Sequence, residues 1–338
     1  MKLAEITIIP ASAFGTPLKG DTIFGHFCWQ LVYDENLING SFSHWIDKYS
    51  ETPFAVFSSA YPKIETKNET YWLLKKPSLP LHFFGEEGKD CFEKLSKRKE
   101  QKSKTWVLTN TLKIDLSTCK LKSDKEAFEF IIKNAQEIRK DLYFHRTCIS
   151  INQTHNSINR YTFSTGENFA PFITETIWFM PGIKLSIFVL YNENALNKNS
   201  LKTAFERIGK TGYGRDATWG MGRFKVEKVK ELPLPEKSNC IYTLSPFVPK
   251  GNKFKQIWFQ PVVRFGKHGS YLANSSNPFK EPILMADEGA VIVNDNPIGP
   301  LIGKAVLEVS KALRETVVQG YSIAIPFSFG GSNAKNSL

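Results

Sequence analysis

Several things are missing from this 338-residue chain, and each absence removes a class of function. No run of about 18 apolar residues occurs, so no helical membrane span is expected. The opening Met1-Lys2-Leu3-Ala4-Glu5-Ile6 lacks the apolar core of a signal peptide and reads as a strand, which predicts a cytoplasmic protein. The five cysteines, Cys28, Cys91, Cys119, Cys148 and Cys240, are scattered with no Cys-x-x-Cys spacing. An odd, unclustered set argues for reduced thiols and against structural zinc. No cluster of Asp and Glu suggests a metal site, which excludes two-metal nuclease or polymerase chemistry and leaves no cofactor to expect. Glycines do cluster, but after a helix and before a strand, the reverse of a dinucleotide fingerprint. No Gly-Lys-Ser/Thr completes a Walker loop.

Negative charge is scarce relative to positive: 33 acidic residues face 44 Lys and Arg, a net charge of +11. Such an excess favours a polyanion or an acidic membrane surface as partner. Hydrophobic content of 41% and aromatic content of 13% fit a folded protein of one large or two medium domains.

The stretch that organises the rest is Gly209 to Phe224, GKTGYGRDATWGMGRF. Its five glycines leave the backbone free to take positive φ and to approach a ligand. Lys210, Arg215 and Arg223 supply charge, and Tyr213, Trp219 and Phe224 supply flat faces. Amides and cations suit phosphates, and aromatics suit unstacked bases. A plain chain reversal is the alternative, with Trp219 anchoring the loop in the core. Leu201 to Ile208 reads as the helix before the loop, and Arg223 to Val229 as the strand after it.

From the start of the chain, Lys2 to Pro10 alternates as a strand should. In Gly20 to Val32 the apolar residues Ile23, Phe24, Phe27, Cys28 and Leu31 recur at helical spacing, with Asp21 or Thr22 able to cap the N-terminus. Lys19 and Gly20 before that start make either an anion site or simply the entry to a buried helix. Between Phe84 and Asp124 a lysine-rich region, Lys89 to Lys122, holds short alternating runs at Thr105 to Leu108 and Thr111 to Leu116. They read as a projecting hairpin, either a solvated insertion or a basic thumb along RNA. Lys125 to Leu142 is helical by pattern, Thr147 to Ile151 a strand, and Glu175 to Val189 two strands joined at Pro181-Gly182. Strand, helix, strands, helix and strand are compatible with a ferredoxin-like α+β sandwich. Pro233 and Pro235 mark a linker. The strand-rich remainder to Phe329 could be a second, decayed ferredoxin-like (RRM-like) unit before a frayed tail.

The loop Gly212-Tyr213-Gly214-Arg215-Asp216-Ala217-Thr218-Trp219-Gly220-Met221-Gly222-Arg223-Phe224 resembles the glycine-rich loop of the RAMP superfamily, the RNA-binding subunits of CRISPR effector complexes. It is most similar to the branch that caps the 5′ end of the guide RNA in type III-A (Csm) complexes. Two further stretches resemble that branch: Lys19-Gly20-Asp21-Thr22-Ile23-Phe24-Gly25 after the first strand, and His155-Asn156-Ser157-Ile158-Asn159-Arg160. In the latter the usual Thr-Gly turn comes late, at Thr165-Gly166.

The resemblance covers residues 2–30, 147–166 and 201–225, and what it implies is a non-catalytic RNA-binding subunit. Residues 1–230 would be the ferredoxin-like RAMP domain with an insertion at about 84–124. Residues 236–329 would be the degenerate second domain, and 330–338 a disordered tail. The subunit would hold the 5′ tag of the crRNA through Lys19, Gly20, Asp21, His155, Asn156, Arg160, Gly212, Tyr213, Gly214, Arg215, Thr218, Trp219, Gly220, Gly222 and Arg223. It would bridge the large polymerase-domain subunit and the first backbone RAMP subunit in antiviral defence. The alternative within the superfamily is an endoribonuclease that processes precursor guide RNA, with His26 and either His155 or Tyr161 as acid and base.

Overall fold

The computed structural model describes residues 1–84, 90–135, 144–166, 170–251 and 254–330. The chain opens with β1 (Lys2–Pro10), α1 (Gly20–Tyr33), α2 (Phe42–Asp47), β2 (Ala55–Glu65) and β3 (Thr70–Lys75). Then follow α3 (Cys91–Ser103), β4 (Lys104–Thr109), β5 (Ile114–Asp115), β6 (Lys120–Ser123) and α4 (Asp124–Asn134). The first half closes with β7 (Cys148–His155), β8 (Phe172–Phe179), β9 (Lys184–Tyr191), α5 (Lys198–Thr211) and β10 (Phe224–Leu232).

One sheet runs β10-β1-β9-β2-β3-β4-β6. Its first four strands are antiparallel neighbours, and helices α1 and α5 connect β1 to β2 and β9 to β10. This is the strand order of a βαββαβ unit. Helix α1 forms because Ile23, Phe24, Phe27 and Leu31 fall on one stripe, and all four are buried. Their rings meet those of the sheet and of α5: Phe27 lies 5.0 Å from Phe57, and Phe57 lies 5.7 Å from Phe205. The sheet's centre also holds a buried ion pair, Glu5 to Lys63 at 3.0 Å, with Trp72 Nε1 donating to Glu5 at 2.9 Å.

The second half contributes β11 (Ser238–Thr243), β12 (Gln256–Trp258), β13 (Pro261–Arg264), β14 (Ile283–Ala286), β15 (Val291–Ile298), β16 (Leu301–Gly303) and β17 (Tyr321–Ser328). The sheet order is β12-β15-β11-β17-β16, and β13 pairs separately with β14. Beyond Thr211 the described residues hold short 3-10 turns but no α-helix, so the helices of a second ferredoxin-like unit do not appear there. The halves share one core in which Tyr242, Leu244, Ile323 and Ile325 join the side chains around α1. A register shift in β2 between Phe57 and Ala60 makes this junction. It turns backbone groups outward, so that Phe57 N–H donates to Gln319 Oε1 at 2.8 Å and Ser59 N–H to Leu244 O at 2.9 Å.

The lysine-rich 84–124 segment does not project as a hairpin. Its β4 and β6 extend the first sheet, with Val107 buried, and β5 pairs in parallel with β17. What precedes them is helix α3, which buries no side chain and so shows no apolar stripe in sequence. The structure that does stand out as a separate two-stranded ribbon is β7–β8. The expected helix Lys125 to Leu142 is α4, and its last part, 136–142, lies outside the described residues, as do Lys89 and the tail from 331.

Candidate nucleic-acid interface

Helix α5 ends at Gly212, whose N–H donates to Ile208 O at 2.8 Å, and the loop then folds back on itself. Tyr213 N–H donates to Gly222 O at 3.0 Å, and Gly222 N–H to Ala13 O at 2.6 Å. Gly222 sits at φ +69°, and a Cβ there would strike the Tyr213 carbonyl oxygen, so only glycine closes this turn. Gly214 N–H donates to His26 Nε2 at 2.9 Å, Arg215 N–H to Thr16 Oγ1 at 3.0 Å and Arg223 N–H to Ser12 Oγ at 2.9 Å. Trp219, Gly220 and Met221 donate within the loop's own 3-10 turn. Most of the amides around its glycines are therefore already engaged within the protein. Gly212, Gly214 and Gly222 serve close packing, Tyr213 and Phe224 face inward, and Arg215, Thr218, Trp219 and Arg223 face outward.

Among those side chains the structure separates Tyr213 from Trp219. Tyr213 is 1% exposed; its hydroxyl donates to Pro17 O at 2.9 Å and its ring lies 4.7 Å from His26 and 6.2 Å from Phe14. It supports the loop and has no face to offer a base. Trp219 is 73% exposed, and its ring centroid is 6.4 Å from that of His155. His155 in turn stacks on Phe172 at 5.4 Å with planes 19° apart. The ribbon end and the glycine loop thus bring three rings together.

Two anchors hold the ribbon there. Phe14 and Ile177 exchange backbone hydrogen bonds of 2.8 Å each, and Arg215 Nη2 donates to Glu175 O at 2.6 Å. Arg215 also meets Asp216 at 3.1 Å, so its guanidinium clasps loop to ribbon. Arg223, Thr218, Asn156 and Arg160 are exposed, and among the described residues no acidic group pairs with Arg223 or Arg160. Arg160 sits in the turn at the ribbon tip, where Asn159 Oδ1 accepts from Tyr161 N–H at 2.9 Å.

The start of α1 departs from expectation. The helix begins at Gly20, and neither Asp21 nor Thr22 caps it; Lys19 is the N-cap and makes no side-chain cap. Lys19 Nζ is engaged with Asp287 at 2.9 Å and with Glu288, and Lys75 reaches Asp287 at 2.6 Å. Asp21 accepts from Arg264 Nη2 at 2.9 Å. A Cβ on Gly20 would strike the Phe57 carbonyl oxygen and press on Ser245, so this glycine lets the two halves close. Burial opposes ionisation of Asp287, but the hydrogen bond with Glu288 and the two ammonium groups outweigh it and hold that carboxyl well below the usual range. Glu288, desolvated beside it, is pushed up. The Lys19 ammonium is held by the second half of the protein.

His26 is half-buried, and desolvation lowers its pKa to about 4, so it is neutral at physiological pH and accepts through Nε2. No contact among the described residues joins it to His155 or to Tyr161, which is 96% exposed at the ribbon tip. The acid–base pairings considered from sequence are therefore not assembled. No group of three or more His, Cys, Asp or Glu among the described residues could hold a metal, and no helix among them is long and apolar enough to cross a membrane. Sequence reasoning missed Phe172, whose place beside His155 follows from strand register, and the role of His26 as acceptor.

The fold, a βαββαβ unit followed by a strand-rich second half, is similar to that of chains in solved Csm assemblies. One solved neighbour comes from the crystal structure of a Csm3–Csm4 subcomplex of the type III-A CRISPR–Cas interference complex: TM-score 0.55, 17% identity, covering 97% of this chain and 100% of the other. Chains from Csm1–Csm4 cassettes crystallised with cA4 and with pppApA give TM-scores of 0.54 and 0.53, each at 14% identity over 98% of this chain and 100% of theirs. No protein-family profile and no curated protein sequence matches the chain.

Proposed function

We propose that this chain is a non-catalytic RNA-binding subunit of a type III-A CRISPR effector complex and holds the 5′ tag of the crRNA. The observation that carries this reading is the meeting of Trp219, His155 and Phe172, with the exposed cations Arg223 in the same loop as Trp219 and Arg160 in the turn that follows His155. Exposed rings stack bases and cations meet phosphates, in proportions that suit a single strand. The net charge of +11 supports a polyanionic partner. By likeness to the cassette and subcomplex above, its protein partners would be a large polymerase-domain subunit and a backbone RAMP subunit, and the protein would act in the cytoplasm. The proposed organisation is a ferredoxin-like unit to about residue 230 and a divergent second unit over 236–329.

Co-purification of the full chain with its cellular RNA tests this. Small RNAs sharing a common 5′ sequence are expected, and Trp219→Ala should weaken their retention by roughly 1–3 kcal/mol at unchanged Tm, since the ring lies outside the core. Recovery of RNA with random 5′ ends, or of none, would overturn the assignment.

A further inference from the structure

The loop and ribbon leave one basic, aromatic region unused. It lies on the outer face of α1, where Asp21, Gly25, Cys28, Trp29 and Val32 fall in register. The arm between β13 and β14 packs against this face: Arg264 meets Asp21 at 2.9 Å, and Tyr271 meets the Trp29 ring edge-on at 5.4 Å. Lys280 crosses the arm beside Arg264. Its N–H donates to Gly266 O at 2.8 Å, and its side chain runs past Gly266 on the side facing α1.

Three features of this place have no use within the protein. Lys280 is half-buried, yet no acceptor among the described residues meets its ammonium. Its ionisable neighbours are Cys28 and Asp21; burial pushes the Cys28 thiol up, and Asp21 is already paired. Desolvation accordingly lowers the Lys280 pKa. Arg264 Nε is enclosed without an acceptor, an arrangement that is unfavourable because its hydration is lost with nothing in return. On the same face, Gly25 stands in mid-helix with nothing within 4 Å of where a Cβ would be. Glycine is less favourable than alanine in mid-helix, and no packing here explains it. Further along the face, Tyr33 (58% exposed) stacks near Trp29 at 5.9 Å, and Tyr271 is 67% exposed.

We propose that this face is a second single-stranded RNA subsite, in which Lys280 and Arg264 hold a phosphate over Gly25 and the Tyr271 and Tyr33 rings stack the neighbouring base. The proposal rests on the RNA-binding reading above. Helix α1 links the two sites, carrying His26 under the glycine loop on one side and this face on another.

The test uses the full chain and a fluorescein-labelled oligouridylate, titrated between about 50 and 200 mM salt. Lys280→Met should make the slope of log affinity against log salt shallower by about 0.7, the value for one phosphate on a single strand. Its Tm should hold or rise, because an unpaired, desolvated ammonium is removed. If this variant melts lower, the slope of Lys280→Gln, which keeps a polar head, decides in the same way. Tyr271→Ala should weaken binding about 5- to 150-fold at constant slope. Arg223→Gln, in the glycine loop, is the reference. If it loses affinity while the Lys280 and Tyr271 variants match wild type in affinity and slope, the subsite is refuted and the RNA reading survives. If wild type does not bind RNA, both fall. If the two α1-face variants impair assembly with a protein subunit and leave the RNA isotherms unchanged, the face is a protein contact and the subsite is again refuted.

Discussion

Protonating His26 should release the glycine loop, and the size of the effect follows from the geometry. The Nε2 lone pair accepts the Gly214 N–H at 2.9 Å, and the imidazole lies against the Tyr213 ring, away from water. Desolvation lowers the His26 pKa from 6.5 to about 4. The unfolded chain therefore takes up a proton near pH 6.5 that the native state refuses until near pH 4. Stability is full above the unfolded pKa and is lost as pH falls through that window. At 1.36 kcal/mol per pKa unit the loss has an upper limit of roughly 3 kcal/mol. Other groups titrate in the same range, so the informative quantity is a difference. His26→Gln keeps an acceptor and does not titrate. Urea unfolding from pH 7.5 to pH 4 should fall less steeply for the variant than for wild type, by up to that amount. The protection factor of the Gly214 amide against hydrogen exchange, taken relative to the intrinsic rate at each pH, should fall over the same window in wild type alone. An imidazole midpoint near 6.5 by NMR, or parallel stability curves for the two proteins, would refute the reasoning.

Two further perturbations test the packing that sets up the site. Gly222→Ala combines a positive φ with a clash against the Tyr213 backbone, so it should cost at least about 1–3 kcal/mol by urea denaturation; a neutral result would show the turn is not as described. Lys63→Met strands Glu5 in the sheet centre without its partner and should cost about 3–5 kcal/mol, largely recovered in the double variant with Glu5→Gln, whereas a single variant within about 1 kcal/mol of wild type would contradict the buried pair.

What could be read from the sequence followed local periodicity. The stripe Ile23, Phe24, Phe27, Leu31 specified α1, the run Leu201 to Ile208 located α5, which continues three residues further to Thr211, and the Pro181-Gly182 turn separated β8 from β9. What could not be read depended on partners far along the chain. Lys19 looks like a free cation at a helix start until Asp287 and Glu288, more than 260 residues away, are folded against it. Tyr213 and Trp219 are chemically similar neighbours in one loop, and only the position of Phe14 and His26 decides that the first is interior. Composition misled at 84–124, because a lysine-rich segment can still add strands to a sheet edge when its few apolar residues are well placed: Val107 faces the main core and Leu108, on the opposite face, packs with Ala127 and Ile131 of α4. Parts of β7 and β8 were legible as strands, but not their full length or their pairing as a ribbon, because Ile151, Phe172 and Ile173 are all exposed and no buried face imposes alternation.

The segment from Ala11 to Lys19, between β1 and α1, is where the glycine loop and the ribbon are joined. Ser12 and Thr16 accept from the amides of Arg223 and Arg215, fixing both ends of the glycine loop. Ala13 accepts from Gly222, and Pro17 accepts the buried Tyr213 hydroxyl. Phe14 pairs with Ile177 and so sets the base of the ribbon. The ribbon pairs with no strand of the large sheet, so the placement of His155 and Arg160 relative to Trp219 is governed by this link and by Arg215. Register between the glycine loop and the ribbon is therefore set by this link beneath them rather than by a shared sheet.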